Sequence, residues 1–325
     1  MSNYIVLDLE WNQAARKEDE IRDMIFEILQ IGAVKLNDSF ETVDTFDSYV
    51  RPRVYRIMNP MTQKLLHMDM KALKRERPFP YVMSDFLDWC GKDPVFCTWG
   101  TNDLAQLQSN MDYYGMKPLS QGPLPYIDVQ KLFSIGCEDG KSRRSLEYAV
   151  GFLEMEPDET FHRALGDAVY TARIFSAITG NEKDSLDHAK YPANELLKFV
   201  SYDTYRLPRN KEEEIRVKFP TYSKYISRPF KTKYAAMRDM DVVMVNCSIC
   251  GARAKRVVKW FSPSGGKYYL AVSRCRIHGY LKAKNRMKKC RDERVYVVKT
   301  VKPIGTEEVD QIRARYENAM LSQRR

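Results

Sequence analysis

Apolar and polar positions along the first 50 residues follow the short periods of β-strands. Residues 4–9 run apolar and read as a buried strand. Residues 28–36 (ILQIGAVKL) and 42–50 (TVDTFDSYV) read as two more, joined at Asn37-Asp38, so that three consecutive strands form a meander. The charged stretch between Asn12 and Glu27 is an exposed loop or helix. Helical spacing follows over 60–73 and 80–90, with Pro60 and Pro80 near the starts. Residues 94–98 (PVFCT) form a short buried strand, and a helix covers about 102–114. A strand at 124–128 precedes helices near 143–153 and 164–178. Strands first and alternating helices later predict an α/β layer fold with helices on a mixed sheet.

The pattern breaks near Thr179-Gly180. Residues 181–240 are polar, charged and punctuated by Pro208, Pro220 and Pro229, and read as a partly helical connector with a helix near 192–200. Over 241–300 two β-rich runs, KRVVKWF and KYYLAVS, flank Ser262-Pro263-Ser264-Gly265-Gly266, which is a hairpin signal. A final amphipathic helix is expected over 306–322. The predicted domains are therefore 1–180, 181–240, 241–300 and 301–325.

Charge sharpens this division. Residues 1–180 carry 20 Lys and Arg against 27 Asp and Glu, whereas residues 181–325 carry 33 against 16. An acidic front half suits a cation site. A basic back half is the electrostatic footprint of a polyanion-binding surface, although a merely basic domain has the same composition. No run is apolar and long enough to cross a bilayer, and no secretory signal fits before the first strand, so a cytoplasmic protein with no membrane partner is expected. Of seven cysteines, Cys90, Cys97 and Cys137 lie scattered and read as free core thiols.

Five residues carry the candidate chemistry. Asp8 and Glu10, two apart on a strand, share one face, and Leu9 between them points the other way into the core. Two acids on one face of a buried strand are costly unless a cation compensates them. Asp103, after the Trp99-Gly100 turn, has the position of an ordinary helix-start acid as well as that of a ligand. His162 and Asp167 would lie about 140° apart on one helix. The productive arrangement instead puts His162 on the preceding loop and Asp167 in the first turns. Ala164, Ala168 and Ala172 then offer a small surface that suits close approach to the first strand.

In order and context these residues resemble the DEDDh 3′→5′ exonucleases over roughly residues 4–178. The phrases TWG-x-x-D and H-R-A-L-x-D-A-x-x-T-A are most similar to the RNA-trimming branch. The resemblance implies a ribonuclease H-like fold with a five-stranded mixed sheet. It also implies hydrolysis at the 3′ end of a nucleic acid, RNA in the first instance, with two Mg²⁺ or Mn²⁺ ions. Asp8 would bridge both ions, Glu10 and Asp167 would complete the first, and Asp103 would act on the second. His162 would be the general base. Leu9, Trp11, Met58 and His67 are candidates for packing against the terminal base and sugar, and each fits an ordinary core role equally. Trp11-Asn12 and Leu66-His67-Met68 depart from the family's usual residues there. A DNA exonuclease, or a scaffold that has lost catalysis, is the alternative.

A second metal signal lies in the basic half. Cys247-Ser-Ile-Cys250 and Cys275-Arg-Ile-His278 form C-x-x-C and C-x-x-H, 24 residues apart, with the predicted hairpin between them. Three thiolates and one imidazole meet the tetrahedral demand of structural zinc, and Cys290 is the substitute for His278. The segment resembles a zinc ribbon. Basic residues interleaved with Trp260, Phe261, Tyr268, Tyr269 and Tyr280 suit single-stranded nucleic acid, and a protein-docking role is the alternative.

Overall fold

A computed structural model describes residues 3–66, 68–180, 191–263 and 265–322. The chain divides into two compact units, residues 1–205 and 206–325. Among the described residues no helix is long and apolar enough to cross a membrane.

In the first unit, β1 (Tyr4–Gln13), β2 (Phe26–Leu36) and β3 (Thr42–Tyr49) form the antiparallel meander that the apolar pattern predicts. Two helices, α1 (Pro60–Leu66) and α2 (Met70–Leu73), occupy the span read as one. Asp69 starts the second by accepting a hydrogen bond from the Lys71 amide at 2.8 Å. They lead to α3 (Phe79–Cys90), then β4 (Val95–Thr98), α4 (Asp103–Tyr113) and β5 (Leu124–Asp128). Next come α5 (Val129–Cys137), α6 (Leu146–Phe152), α7 (Ala164–Thr179), α8 (Ala193–Leu196) and β6 (Ser201–Asp203). The sheet order is β3-β2-β1-β4-β5-β6. Its first five strands are the mixed sheet expected, with β4 parallel to β1 and β5 parallel to β4. A sixth strand, β6, adds antiparallel to β5 from a segment read as connector. Helix α5 has no counterpart in the sequence reading. Its N-cap, Asp128, is also the last residue of β5, so the strand and helix signals run together.

Alternation along β1 separates core from site. Ile5, Leu7 and Leu9 are buried with Phe79, Val82, Met83 and Phe86 of α3 and Leu104, Leu107 and Met111 of α4. The opposite face of β1 and β2 receives α7 through Ala164, Ala168 and Ala172, all buried. Gly32 of β2 permits that approach: a Cβ there would lie 2.1 Å from the Leu165 amide nitrogen and 2.2 Å from the Ala164 carbonyl carbon.

The second unit is built on an antiparallel sheet. Residues 206–240, read as a connector, supply β7 (Ile215–Lys218), β8 (Ser223–Ile226) and α9 (Lys233–Arg238). After α10 (Met240–Val243) come β9 (Lys255–Phe261) and β10 (Tyr268–Cys275), which pair as the predicted hairpin. The chain continues through β11 (Gly279–Lys289), β12 (Val295–Pro303) and the expected terminal helix α11 (Thr306–Ser322), giving the order β7-β8-β12-β11-β10-β9. Strand β11 escapes a hydrophobic reading because every second residue on one face is cationic or aromatic. Tyr280, Lys282, Lys284, Arg286 and Lys288 alternate with the apolar Leu281, Ala283 and Met287.

Candidate active site and candidate cysteine-based metal site

The α7 face of β1 carries Asp8 and Glu10. In register, Asp8 lies opposite Gly32 and Glu10 opposite Gln30, and the ladder shifts between Glu10 and Trp11. Such an irregularity beside a site re-aims the flanking side chains. Because α7 touches down on Gly32, Asp167 in its first turn reaches the two strand acids. One carboxylate oxygen from each of Asp8, Glu10 and Asp167 lies within 4.8 Å of the others. Asp103 opens α4 and is only 6% exposed. Its pairing partner is β1 itself: β4 leaves β1 after Cys97, and the Leu9 amide beyond that point donates to the Asp103 carboxylate. Asp103 stands outside the tight trio but close enough to act on it electrostatically.

Crowded, largely desolvated carboxylic acids give up their protons reluctantly. Burial first, then the charges of Asp103, Asp167 and Glu10, holds Asp8 well above the usual carboxylate range. Burial followed by Asp167 and Asp103 pushes Glu10 to about 8. Asp103 rises to about 7, mainly through burial, against the lowering effect of its own amide and that of Leu9. Asp167 rises to about 6 through burial, opposed by the amide and the charge of His162. The Asp167 Oδ1 atom is buried with no hydrogen-bond partner. Hard oxygen donors that repel one another, one of them orphaned, fit a divalent cation of the Mg²⁺ or Mn²⁺ type.

His162 sits on the loop just before α7, with a positive φ of 61° and a half-exposed ring. Its amide donates to Asp167 Oδ2 at 3.2 Å, and its Nε2 lies 4.0 Å from Glu147 Oε1 of α6. The loop is held firmly. Phe161 stacks on Tyr170 at 4.7 Å, and the Tyr170 hydroxyl donates to the Glu159 carbonyl while accepting from its amide. Gly166 leaves room for the Thr160 carbonyl, 2.5 Å from where a Cβ would stand. His162 shares this left-handed conformation with Phe40, Asp93, Glu154 and Glu293, and is the one of them beside the acid cluster. Glu147 was not singled out from sequence, since one glutamate on a short amphipathic helix carries no distinguishing signal there.

The four residues expected around a terminal nucleotide fall differently. Leu9 and Met58 are core side chains, 3% and 7% exposed, in separate apolar clusters, so their side chains are not available to pack on a base. Alternation sends Leu9 inward, and Met58 is covered by Leu29, Leu66 and Leu73. Trp11 is half-buried against Phe26, with ring centroids 5.7 Å apart. His67 lies outside the described residues. Asn12, noted with Trp11 as a departure from the family's usual residues, is fully buried: its amide nitrogen donates to the Tyr55 and Ile57 carbonyls and its oxygen accepts from the Asn59 amide.

The RNase_T family, described as exonuclease, matches residues 5–175, just over half the chain. This chain belongs to that exonuclease family. The matched span contains all five candidate residues. Among curated relatives, the "Probable 3'-5' exonuclease KapD" of Bacillus subtilis is 24% identical over 199 residues, covering 59% of this chain and 91% of the relative. The "3'-5' exoribonuclease 1" of Rattus norvegicus is 23% identical over 180 residues, covering 52% of this chain and 50% of the relative. The chain thus spans about half the length of that mammalian protein. Among solved structures, the nuclease domain of 3'hExo, a DEDDh family member bound to rAMP, is 22% identical with a TM-score of 0.46. The match covers 55% of this chain and 91% of that one.

In the second unit, Cys247, Cys250, Cys275 and His278 converge, with ligand atoms within 4.8 Å of one another. The Cys247 Sγ–His278 Nδ1, Cys275 Sγ–His278 Nδ1 and Cys250 Sγ–Cys275 Sγ distances are 3.6, 3.7 and 3.7 Å. A tetrahedron with Zn–S of about 2.3 Å and Zn–N of about 2.05 Å has edges of roughly 3.8 and 3.6 Å. The cluster therefore has the size of a closed zinc site. Each knuckle is a tight turn. The Gly251 amide donates to the Cys247 carbonyl at 2.8 Å, and the Ile249 amide donates to Cys247 Sγ at 3.4 Å. Gly279, at φ 72°, turns the chain from Cys275 into β11. Amides of His278 and Ile277 hold the Cys275 thiol down to about 6, which favours the thiolate. Cys290 stands apart, its amide bonded to the Arg294 carbonyl in the β11–β12 turn.

Proposed function

We propose that this protein is a metal-dependent 3′→5′ exonuclease that shortens RNA from a free 3′ end. The convergence of Asp8, Glu10 and Asp167, with Asp103 adjacent, carries the reading, because ionising the whole set is unfavourable until cations offset the burial and mutual repulsion. Asp8, Glu10 and Asp167 would hold one divalent cation, and Asp8 with Asp103 a second. When bound, these cations neutralise charge building up on the phosphoryl oxygens and on the attacking and leaving oxygens. His162, at the rim of the pocket, would accept the proton of the attacking water, and Glu147 beside its Nε2 would stabilise the imidazolium so formed. Asp167 would keep His162 in place by binding its amide. RNA preference is supported by the exoribonuclease among the relatives.

The Cys₃His cluster would hold one structural zinc ion, and the second unit would grip nucleic acid. On one face of β10–β11, Lys284 Nζ lies 4.2 Å over the Tyr268 ring, and Arg315 donates to the Tyr268 hydroxyl at 3.0 Å. Arg274 lies 5.5 Å over Tyr280. Burial first, then neighbouring Arg286, lowers the Lys284 ammonium below its ordinary value, and Lys282 and Arg315 add to this. Lys282 is ion-paired to Glu308, and the remaining cations beside aromatic rings suit a phosphate backbone and unstacked bases.

The test is a product ladder from 5′-labelled RNA in Mg²⁺ or Mn²⁺, run beside the same RNA with a blocked 3′ end and a matched DNA. Stepwise shortening that needs the free 3′ hydroxyl supports the reading. Faster DNA shortening would move the substrate to DNA, and no cleavage in either metal would leave a nucleic-acid-binding scaffold.

A further inference from the structure

The connection from β3 to α1 carries a cationic cavity that the catalytic reading does not use. A space of about 280 Å³ is lined by Arg51, Pro52, Arg53, Arg56, Met70 and Lys74. Four of its six lining residues are cations and none is an acid. Arg53, Arg56 and Lys74 are exposed, whereas Arg51 is half-buried and its Nε has no hydrogen-bond partner. Among the described residues none of the four side chains is ion-paired to a carboxylate. Like charges left crowded around a cavity indicate an anionic ligand.

The segment is built to keep this shape. The nearby carboxylate of Glu27, 2% exposed, accepts the amides of Arg53, Val54 and Tyr55 at 2.5, 2.9 and 2.7 Å, so it is consumed by the backbone. Asn12 pins the carbonyls of Tyr55 and Ile57. Val50 points into the core with Leu9, which leaves Tyr49 and Arg51 on the opposite side, the side of the catalytic acids. Both ends of the segment are tied to the site. Asn12 is two residues from Glu10 on β1, about 7 Å of strand. Arg51 is two residues from Tyr49, whose hydroxyl accepts from Arg163 at 2.8 Å, beside His162.

We propose that the Arg51–Arg53–Arg56–Lys74 cavity binds a backbone phosphate of the substrate strand, on the 5′ side of the bond being cut. The inference rests on the exonuclease reading and adds to it a subsite that senses chain length. A phosphate is favoured over a carboxylate because guanidinium groups offer paired donors to its several oxygens, and three converge here.

The test compares wild type with Arg53→Ala/Arg56→Ala/Lys74→Ala, three exposed positions, in Mn²⁺. Two substrates are used: a 5′-labelled 12-nucleotide RNA, and the p-nitrophenyl ester of thymidine 5′-monophosphate, which has no upstream phosphate. The loss of kcat/KM on RNA should exceed that on the ester by about tenfold or more, mainly through KM. The dependence of log KM on log salt should flatten by about 0.7 for each phosphate contact removed. Binding of the RNA to both proteins in an Asp8→Asn background, followed by fluorescence anisotropy, should weaken to match. Equal losses on both substrates, or an unchanged KM and salt slope on RNA, would overturn the subsite while leaving the exonuclease intact. A wild-type protein inactive on both substrates would overturn the exonuclease reading and the subsite with it.

Discussion

Glu10→Gln should abolish cleavage yet make the cation-free protein more stable above neutral pH. In the fold, burial and the neighbouring acids raise the Glu10 carboxyl from an ordinary 4.5 to about 8. The folded state therefore holds this proton more tightly than the unfolded chain does. Its contribution to stability is fully present below about 4.5 and is lost as pH rises toward about 8. At about 1.4 kcal/mol per pH unit, the gap sets an upper bound of roughly 5 kcal/mol. Glu10 is only partly buried and shares its repulsion with Asp103 and Asp167, so about 2–3 kcal/mol at pH 8.5 is expected. That corresponds to roughly 4–12 °C in melting temperature for a unit of this size. The assay is urea unfolding at pH 5, 7 and 8.5 in cation-free buffer, followed by tryptophan fluorescence. Trp11, Trp89 and Trp99, three of the four tryptophans, report on the first unit. The variant's advantage should shrink toward zero by pH 5, and millimolar Mg²⁺ should stabilise the wild type more than the variant. A variant no more stable than wild type at pH 8.5, or an advantage independent of pH, would refute the electrostatic account of the pocket.

Other expectations test separate parts of the structure. His162→Ala should lower kcat by about 10²–10⁴ with little change in RNA affinity, measured by single-turnover kinetics and anisotropy. An equal loss in both would make the loop histidine a binding residue. Gly32→Ala should push the start of α7 off β2 and destabilise the first unit by more than the about 1–3 kcal/mol typical of overpacking, because the clash is with backbone. Its calorimetric transition should fall and cleavage should drop with it. Mercurial modification should release close to one zinc per chain into a colorimetric indicator, and Cys275→Ser should abolish that release and unfold the second unit. Zinc release unchanged in Cys275→Ser would remove that residue from the cluster.

Period-2 and helical spacing are local properties, and where they dominate the fold was legible. The meander, the hairpin β9–β10 and the terminal helix α11 all lie where their patterns place them. The apolar runs of β4 and β5 were legible too, but very short strands and strands without a clean apolar alternation were not. The strand β6 is three residues long and acquires its identity from pairing with β5. Strand β11 hides its alternation beneath lysines, and residues 206–240 look like a linker until β12 offers β8 an edge to join.

The candidate site acids show the same division. Residue type, order and spacing along the chain were enough to nominate Asp8, Glu10, Asp103, His162 and Asp167, because strand alternation and a helix start are written into adjacent residues. Which oxygens converge, which atom is left orphaned and how far each proton affinity climbs depend on α7 landing on Gly32 and on β4 freeing the Leu9 amide. Neither contact has a local signature. The same holds for Met58, an apolar residue near the site whose inward direction is set by packing, and for the arginines of residues 51–56. Their common cavity exists only because Glu27 and Asn12, far away in the sequence, bend the backbone around it.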